Sequence, residues 1–196
     1  MKKPLILSAV LCSLLILAPG ITSAATDWIL DICPGVLMVH PKGDDFSVQG
    51  SGQKETVSQA STYPSAALGM AVEFPEGYFD LKAGVGMIVN SRFNALSLFA
   101  QTGLSLEVNP GFLMGPHVGY ALYMNPTWWG DGDVSFSDTG GVMGGLHVLL
   151  GDKMLYYFSL DYYLMEFDVD KAEGGWTASP NQLDLSGLGV AFGGQF

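Results

Sequence analysis

Charge is scarce in this chain of 196 residues: 14% of it is Asp, Glu, Lys or Arg, against about 25% in ordinary soluble domains. Positive charge is scarcer still, with 8 Lys and Arg against 19 Asp and Glu. Affinity for a phosphate backbone needs a basic surface, so nucleic acid is excluded as a partner. Cysteine is nearly missing. Of the 2 present, Cys12 lies in an N-terminal segment read below as removable, and Cys33 alone cannot form an internal disulfide. Beyond that segment no long uncharged apolar run occurs, which excludes a transmembrane helix. The 26 glycines follow no G-X-Y period, and a 48% hydrophobic content argues against disorder. One folded domain is the expectation.

Residues 1–25 read as a secretory signal, with Lys2-Lys3, an apolar stretch from Leu5 to Ala18, Pro19-Gly20, and small residues in Thr22-Ser23-Ala24-Ala25 suited to cleavage. The apolar stretch is shorter than the roughly 20 residues a spanning helix needs. The exported domain is therefore 26–196.

From Asp27 onward the dominant period is two, and Gly, Pro, Asn and Asp clusters separate the segments. Eight strands are predicted, over 27–40, 63–74, 78–90, 95–108, 111–124, 140–151, 154–167 and 183–196. In the second, Ala66, Leu68, Met70, Val72 and Phe74 share one face, and Ala67, Gly69, Ala71 and Glu73 the other. The third sets Phe79, Leu81, Ala83, Val85, Met87 and Val89 against Tyr78, Asp80, Lys82, Gly84, Gly86 and Asn90.

Such alternation suits a soluble sandwich with its apolar face inward or a membrane barrel with that face against lipid. Three observations favour the barrel. The polar face is rich in glycine (Gly84, Gly86, Gly103, Gly115, Gly119, Gly145), which makes room inside a narrow barrel but is costly on an exposed strand surface. The connections alternate, with tight turns at Pro75-Glu76-Gly77, Asn109-Pro110-Gly111 and Gly151-Asp152-Lys153 opposite long segments at 41–62, 125–139 and 168–182. The final strand ends on Phe196 with Leu188, Val190 and Phe192 on the same face, and Gly194 breaks that row.

In these features the chain resembles the small bacterial outer-membrane β-barrels of the OmpA-like, OmpX-like and OmpW-like group. The expected fold is all-β, an eight-stranded antiparallel up-and-down transmembrane β-barrel. The resemblance implies a Gram-negative cell outer membrane, contact with its lipid and lipopolysaccharide, and a monomer inserted by machinery that reads the strand ending at Phe196. OmpW-like relatives further imply passage of small hydrophobic molecules through a lateral opening.

Eight strands enclose about enough space for side chains to fill, which disfavours a porin-like channel. Parity places Asp31, Glu73, Asp80, Lys82, Glu107, His117, His147 and Asp161 toward the axis, with Gln101, Tyr123, Tyr157 and Ser159. Lys82 is expected to pair with Asp80, Glu73 or Glu107, because a buried charge must be compensated. A polar plug is the expected role of this row, with a proton or ion path as the alternative. Symmetric pairing about 125–139 would set His117 opposite His147. Two facing imidazoles suit zinc or copper, with Asp161 or Glu107 as a third ligand, although no metal-spacing motif or cofactor motif is present.

The loops are acidic, with Asp44-Asp45, Asp131-Gly132-Asp133, Asp138, Asp168, Asp170 and Glu173. Trp128-Trp129, with Tyr120, Tyr156, Tyr162, Trp28 and Phe196, reads as interfacial aromatics. The loops are expected to be solvated and to serve a structural or surface-interaction role. Two other classes compete. A lipid A-modifying enzyme of deacylase type would need a nucleophile, base and acid at the outer rim, for which His40, Ser186 and Asp184 are the candidates on the lipid-facing side. A lipocalin-like periplasmic binder would turn the greasy face inward.

Overall fold

The computed structural model describes residues 26–151 and 154–196. The secretory signal and the turn residues Asp152 and Lys153 fall outside the described residues. Fifteen strands follow in chain order: β1 (Thr26–Val39), β2 (Ser47–Gly50), β3 (Gln53–Thr56), β4 (Ala60–Thr62), β5 (Ser65–Phe74), β6 (Gly77–Val89), β7 (Phe93–Asn109) and β8 (Phe112–Trp128). The remainder are β9 (Asp133–Phe136), β10 (Thr139–Leu150), β11 (Leu155–Leu164), β12 (Glu166–Glu173), β13 (Thr177–Ser179), β14 (Gln182–Asp184) and β15 (Gly187–Gln195).

The wall is an antiparallel barrel of eight segments: β1, β4 continued by β5, β6, β7, β8, β10, β11 and β15. It closes where β15 returns to β1, from Asp31 opposite Gln195 to Val39 opposite Leu188. Closure removes the free edges that hydrocarbon would not tolerate. The strand number exceeds the eight expected for two reasons. The second wall strand is split at Tyr63-Pro64, because proline has no N–H for the ladder, and the extra residue of the irregularity lies opposite, on β1 between Cys33 and Leu37. Of the other six, β2, β3, β9 and β13 lie in segments the sequence reads as loops, β12 begins at the end of the predicted strand 154–167 and runs into such a loop, and β14 is set off from the start of the predicted strand 183–196.

Orientation follows the alternation. Leu68, Leu81, Val85, Leu98, Val118, Leu146, Leu160 and Val190 are exposed, while Ala67, Asp80, Lys82, Ser97, Phe99, His117, His147 and Asp161 on alternate positions are buried. An exposed apolar belt around a closed barrel is stable only against lipid. Leu160 lies on this belt, between the inward-facing Ser159 and Asp161. Leu160→Arg is expected to lower stability in lipid vesicles by about 2–4 kcal/mol, whereas Leu106→Arg, next to a turn, costs about 0–1 kcal/mol. Urea unfolding of the two variants side by side measures the difference.

Glycine has two separate uses in the wall. Gly111 has φ +74 in the Asn109-Pro110-Gly111 turn, the conformation that the third position of a type II turn requires. At Gly115 a Cβ would stand 1.8 Å from the Leu104 carbonyl oxygen, so the backbones of β7 and β8 could not approach as they do.

At the loop end the segments expected to be solvated fold into a cap. β2 pairs with β3 and β13, while β12 pairs with β9 and β14. Beneath them Phe46, Val48, Val57, Phe93, Phe136, Met165, Phe167, Leu183 and Leu185 are fully or nearly fully buried. Phe93 meets Phe167 with ring centroids 4.7 Å apart and Phe136 at 5.3 Å, both edge-on, the geometry that aromatic quadrupoles favour. Trp128 belongs to this plug and not to the membrane interface: it is buried against Phe46, and its Nε1 donates to the Asp131 carbonyl at 3.1 Å. Trp129 does face outward. Glu55 ties the cap together by accepting from the Asp131 N–H at 2.9 Å and meeting Arg92 at 3.5 Å.

Candidate functional site

Beneath the apolar plug the lumen turns polar. Two hydrogen-bonded groups occupy it, and both come from inward positions of wall strands. The first is a chain across β11, β8, β10 and β7. Ser159 Oγ donates to Asp161 Oδ2 at 2.6 Å, and Asp161 Oδ1 stands 2.6 Å from His117 Nε2. His117 Nδ1 is 3.1 Å from His147 Nδ1, and His147 Nε2 is 2.7 Å from Ser105 Oγ. Distance and direction disagree at one link. Asp161 Oδ1 is close to His117 yet receives no aligned hydrogen bond, so this contact is an electrostatic one.

The second group surrounds Lys82. Its ammonium donates to Asp31 Oδ2 at 2.7 Å, stands 3.6 Å from Asp80 Oδ1, and faces the Tyr157 ring at 6.0 Å. Gln195 Nε2 donates to the other Asp31 oxygen at 2.9 Å, and Tyr78 Oη donates to Gln195 Oε1 at 2.6 Å. The separation from Asp80 is too long for a hydrogen bond, so the contact is an ion pair and Asp80 Oδ1 has no hydrogen-bond partner. Between the two groups lies a cavity of about 50 Å³, lined by Asp31, Cys33, Gln101, His117, Tyr157 and Asp161 among others. That space has room for a few water molecules.

Six of the residues predicted for the lumen thus come together: Asp31, Asp80, Lys82, His117, His147 and Asp161. Glu73 and Glu107 do not. They keep inward parity, but both are exposed, because β5 and β7 carry them to the turn rim. Lys82 therefore pairs with Asp31, two strands along the wall, and with the expected Asp80, and not with either glutamate. The histidine register also differs from symmetric pairing, since His117 lies opposite Gly145 and His147 opposite Gly115. The rings meet on the diagonal, within reach of long side chains on one sheet face. Glu107 is too far toward the rim to serve as a third ligand.

His40, Ser186 and Asp184 do come close at the loop end, since Val39 pairs with Leu188 and Asp184 accepts from the Ser186 N–H, but no hydrogen bond joins the His40 ring to either of them. His40 follows the inward parity of Val36 and Met38, is fully buried, and its Nε2 lies 2.8 Å from Ser61 Oγ. Ser186 Oγ accepts from the Met165 N–H at 3.1 Å. Asp184 accepts from Lys42 at 3.0 Å and from the Ser186 N–H at 2.9 Å. Burial alone would raise the Asp184 carboxyl, but its bonds to Ser186 and Lys42 outweigh that and hold it below the usual carboxylate range. These contacts clamp the loops to the barrel, and among the described residues no hydrogen bond joins Ser186 to an imidazole.

Tyr78, Ser105 and Gln195 are lumen residues that the candidate set omits. Parity already sets Tyr78 on the polar face with Asp80 and Lys82, and it extends to the other two, since Ser105 follows Gly103 and Gln195 alternates with Phe196.

The β1 wall carries one irregularity beside the cavity. Pairing with β15 shifts by one residue between Ile32 and Gly35, where Pro34 lacks an N–H. The Cys33 thiol donates to the freed Phe192 carbonyl at 3.4 Å. The outward residues Ile32 and Gly194 line the cavity here together with lumen side chains.

No protein-family model and no curated protein matches the chain. Solved structures similar in fold include two small outer-membrane proteins. The outer membrane protein OprG from Pseudomonas aeruginosa superimposes with a TM-score of 0.52 at 15% identity, covering 89% of this chain and 97% of its own. Neisserial surface protein A gives 0.56 at 9% identity, covering 87% and 97%. With its closed wall, apolar belt and polar lumen, the chain has the fold of the small outer-membrane β-barrels.

Proposed function

We propose that this protein is a monomeric integral barrel of the bacterial outer membrane with a structural or surface-interaction role, displaying an acidic, folded cap to the exterior and opening no large pore. The observation that carries this reading is the sealed loop end, where fully buried aromatic and aliphatic side chains from three loops stand between the lumen and the outside. Its membrane partners are outer-membrane lipid and lipopolysaccharide. The insertion machinery is the further partner, recognising the strand that ends at Phe196, whose N–H and C=O both pair with Leu30. Planar-bilayer recording of the purified protein tests the reading. The expected result is no porin-like conductance, and stable large current steps would overturn it.

A narrower route is a second reading, favoured by the bulge at Cys33-Pro34-Gly35, where the cavity reaches outward-facing residues of the wall. It would pass small hydrophobic molecules sideways toward the membrane and would leave ionic conductance near zero. Uptake of an apolar dye into protein-loaded vesicles, compared with protein-free vesicles, separates the two readings.

A further inference from the structure

We infer that the paired imidazoles of His117 and His147 form a binding site for one zinc-class divalent ion, with the Asp80 carboxylate as the third protein ligand. The outer nitrogens already face partners, His117 Nε2 the Asp161 carboxylate at 2.6 Å and His147 Nε2 the Ser105 hydroxyl at 2.7 Å. Carboxylates and hydroxyls behind the second nitrogen orient metal-binding histidines. The two Nδ1 atoms meet at 3.1 Å, a hydrogen bond in which one ring carries the proton when no metal is bound. A cation that displaces this proton leaves both lone pairs directed at it. Two imidazole nitrogens bound to one zinc at about 2.0–2.1 Å stand roughly 3.3 Å apart at the tetrahedral angle, so a small turn of each ring suffices.

Asp80 supplies the independent observation. Its side chain is 1% exposed and its Oδ1 has no hydrogen-bond partner. It stands beside the pair: a Cβ on Gly103 would lie 3.0 Å from Asp80 Oδ2 and 3.3 Å from His147 Cε1. The glycine therefore keeps the space between carboxylate and imidazole clear. Charge points the same way. Asp31, Asp80 and Asp161 face a single ammonium, that of Lys82, and the two negative charges in excess match one dication. Two nitrogens and one carboxylate suit zinc, copper or nickel better than magnesium or calcium, and the fourth position of a tetrahedral ion is left to water. Among the described residues no three such side chains already converge at coordination distance. Loading therefore requires Asp80 to rotate toward the rings.

The test uses the full mature chain refolded in detergent with Co²⁺ as the spectroscopic stand-in for Zn²⁺, the metal being supplied during refolding because the lumen is closed above. The expected result is one equivalent of Co²⁺ with the intense visible absorption of a tetrahedral site, displaced by one equivalent of Zn²⁺. His117→Gln and His147→Gln remove the band. Asp80→Asn weakens binding by about tenfold or more, the scale seen even for loss of outer-shell partners. The loop variant Asp133→Asn leaves the band unchanged. Heat-dependent gel mobility confirms that each variant is folded, and Asp80→Asn carries the test if a histidine variant does not fold. Absence of a tetrahedral band in folded protein, or a band that survives His147→Gln or keeps its affinity in Asp80→Asn, overturns the assignment.

Discussion

Lys82→Met is expected to lower the unfolding free energy of the barrel by about 3–5 kcal/mol, the usual cost of removing one partner from a buried ion pair. The Lys82 side chain is 5% exposed and is the cation closest to both Asp31 and Asp80. Methionine preserves most of the volume, so the loss reports charge and not a cavity. Without the ammonium, Asp31 and Asp80 must either take up protons or remain ionised in a medium that solvates them poorly. Adding Asp31→Asn to Lys82→Met should restore part of the loss, since one of the two stranded charges disappears. Guanidine unfolding of the three proteins in vesicles at neutral pH checks this. A loss below about 1 kcal/mol would mean that the carboxylates do not depend on Lys82.

Phe167→Ala is expected to cost about 3–5 kcal/mol, as large-to-small changes at fully buried aromatic positions do. Phe167 is 0% exposed and packs edge-on against both Phe93 and Tyr123. It thus joins the cap to the top of the wall. Its removal should loosen the cap before the wall. Limited proteolysis should then cut within 41–59 and 168–182 while the wall stays resistant and gel mobility remains that of a folded barrel. Cleavage no faster than in the parent protein would show that the plug does not hold the loops.

The wall was legible in the sequence because lipid enforces a strict rule on it. Leu81 and Leu160 must face out, so Asp80, Lys82 and Asp161 must face in, and the period of two carries the assignment along each strand. Parity does not tell which inward residues meet across the lumen. Lys82 and Asp31 lie on strands separated by β5, and their meeting depends on the stagger of the closed barrel, which no local pattern encodes. The histidine pair shows the same limit: the contact is real although the register differs, because Gly145 and Gly115 opposite the two rings leave room for a diagonal approach. The cap was not legible. Phe46, Val57 and Phe136 sit among polar residues in segments read as loops, and Leu183 stands at the very start of a predicted strand, where nothing in the pattern points to a cap. Glu73 and Glu107 failed for a simpler reason, since parity gives a direction but not a depth.

The cap reverses the usual distribution of solvents around a membrane protein. Its driest packing lies outside the bilayer, and its most polar packing lies at bilayer depth. Pulling the strands back out would first require dismantling the aromatic cluster that joins three loops, each of which is too bulky to retreat while folded. Assembly of that cluster after the loops have crossed therefore acts as a ratchet, and it adds its own barrier to the slow extraction of a closed sheet.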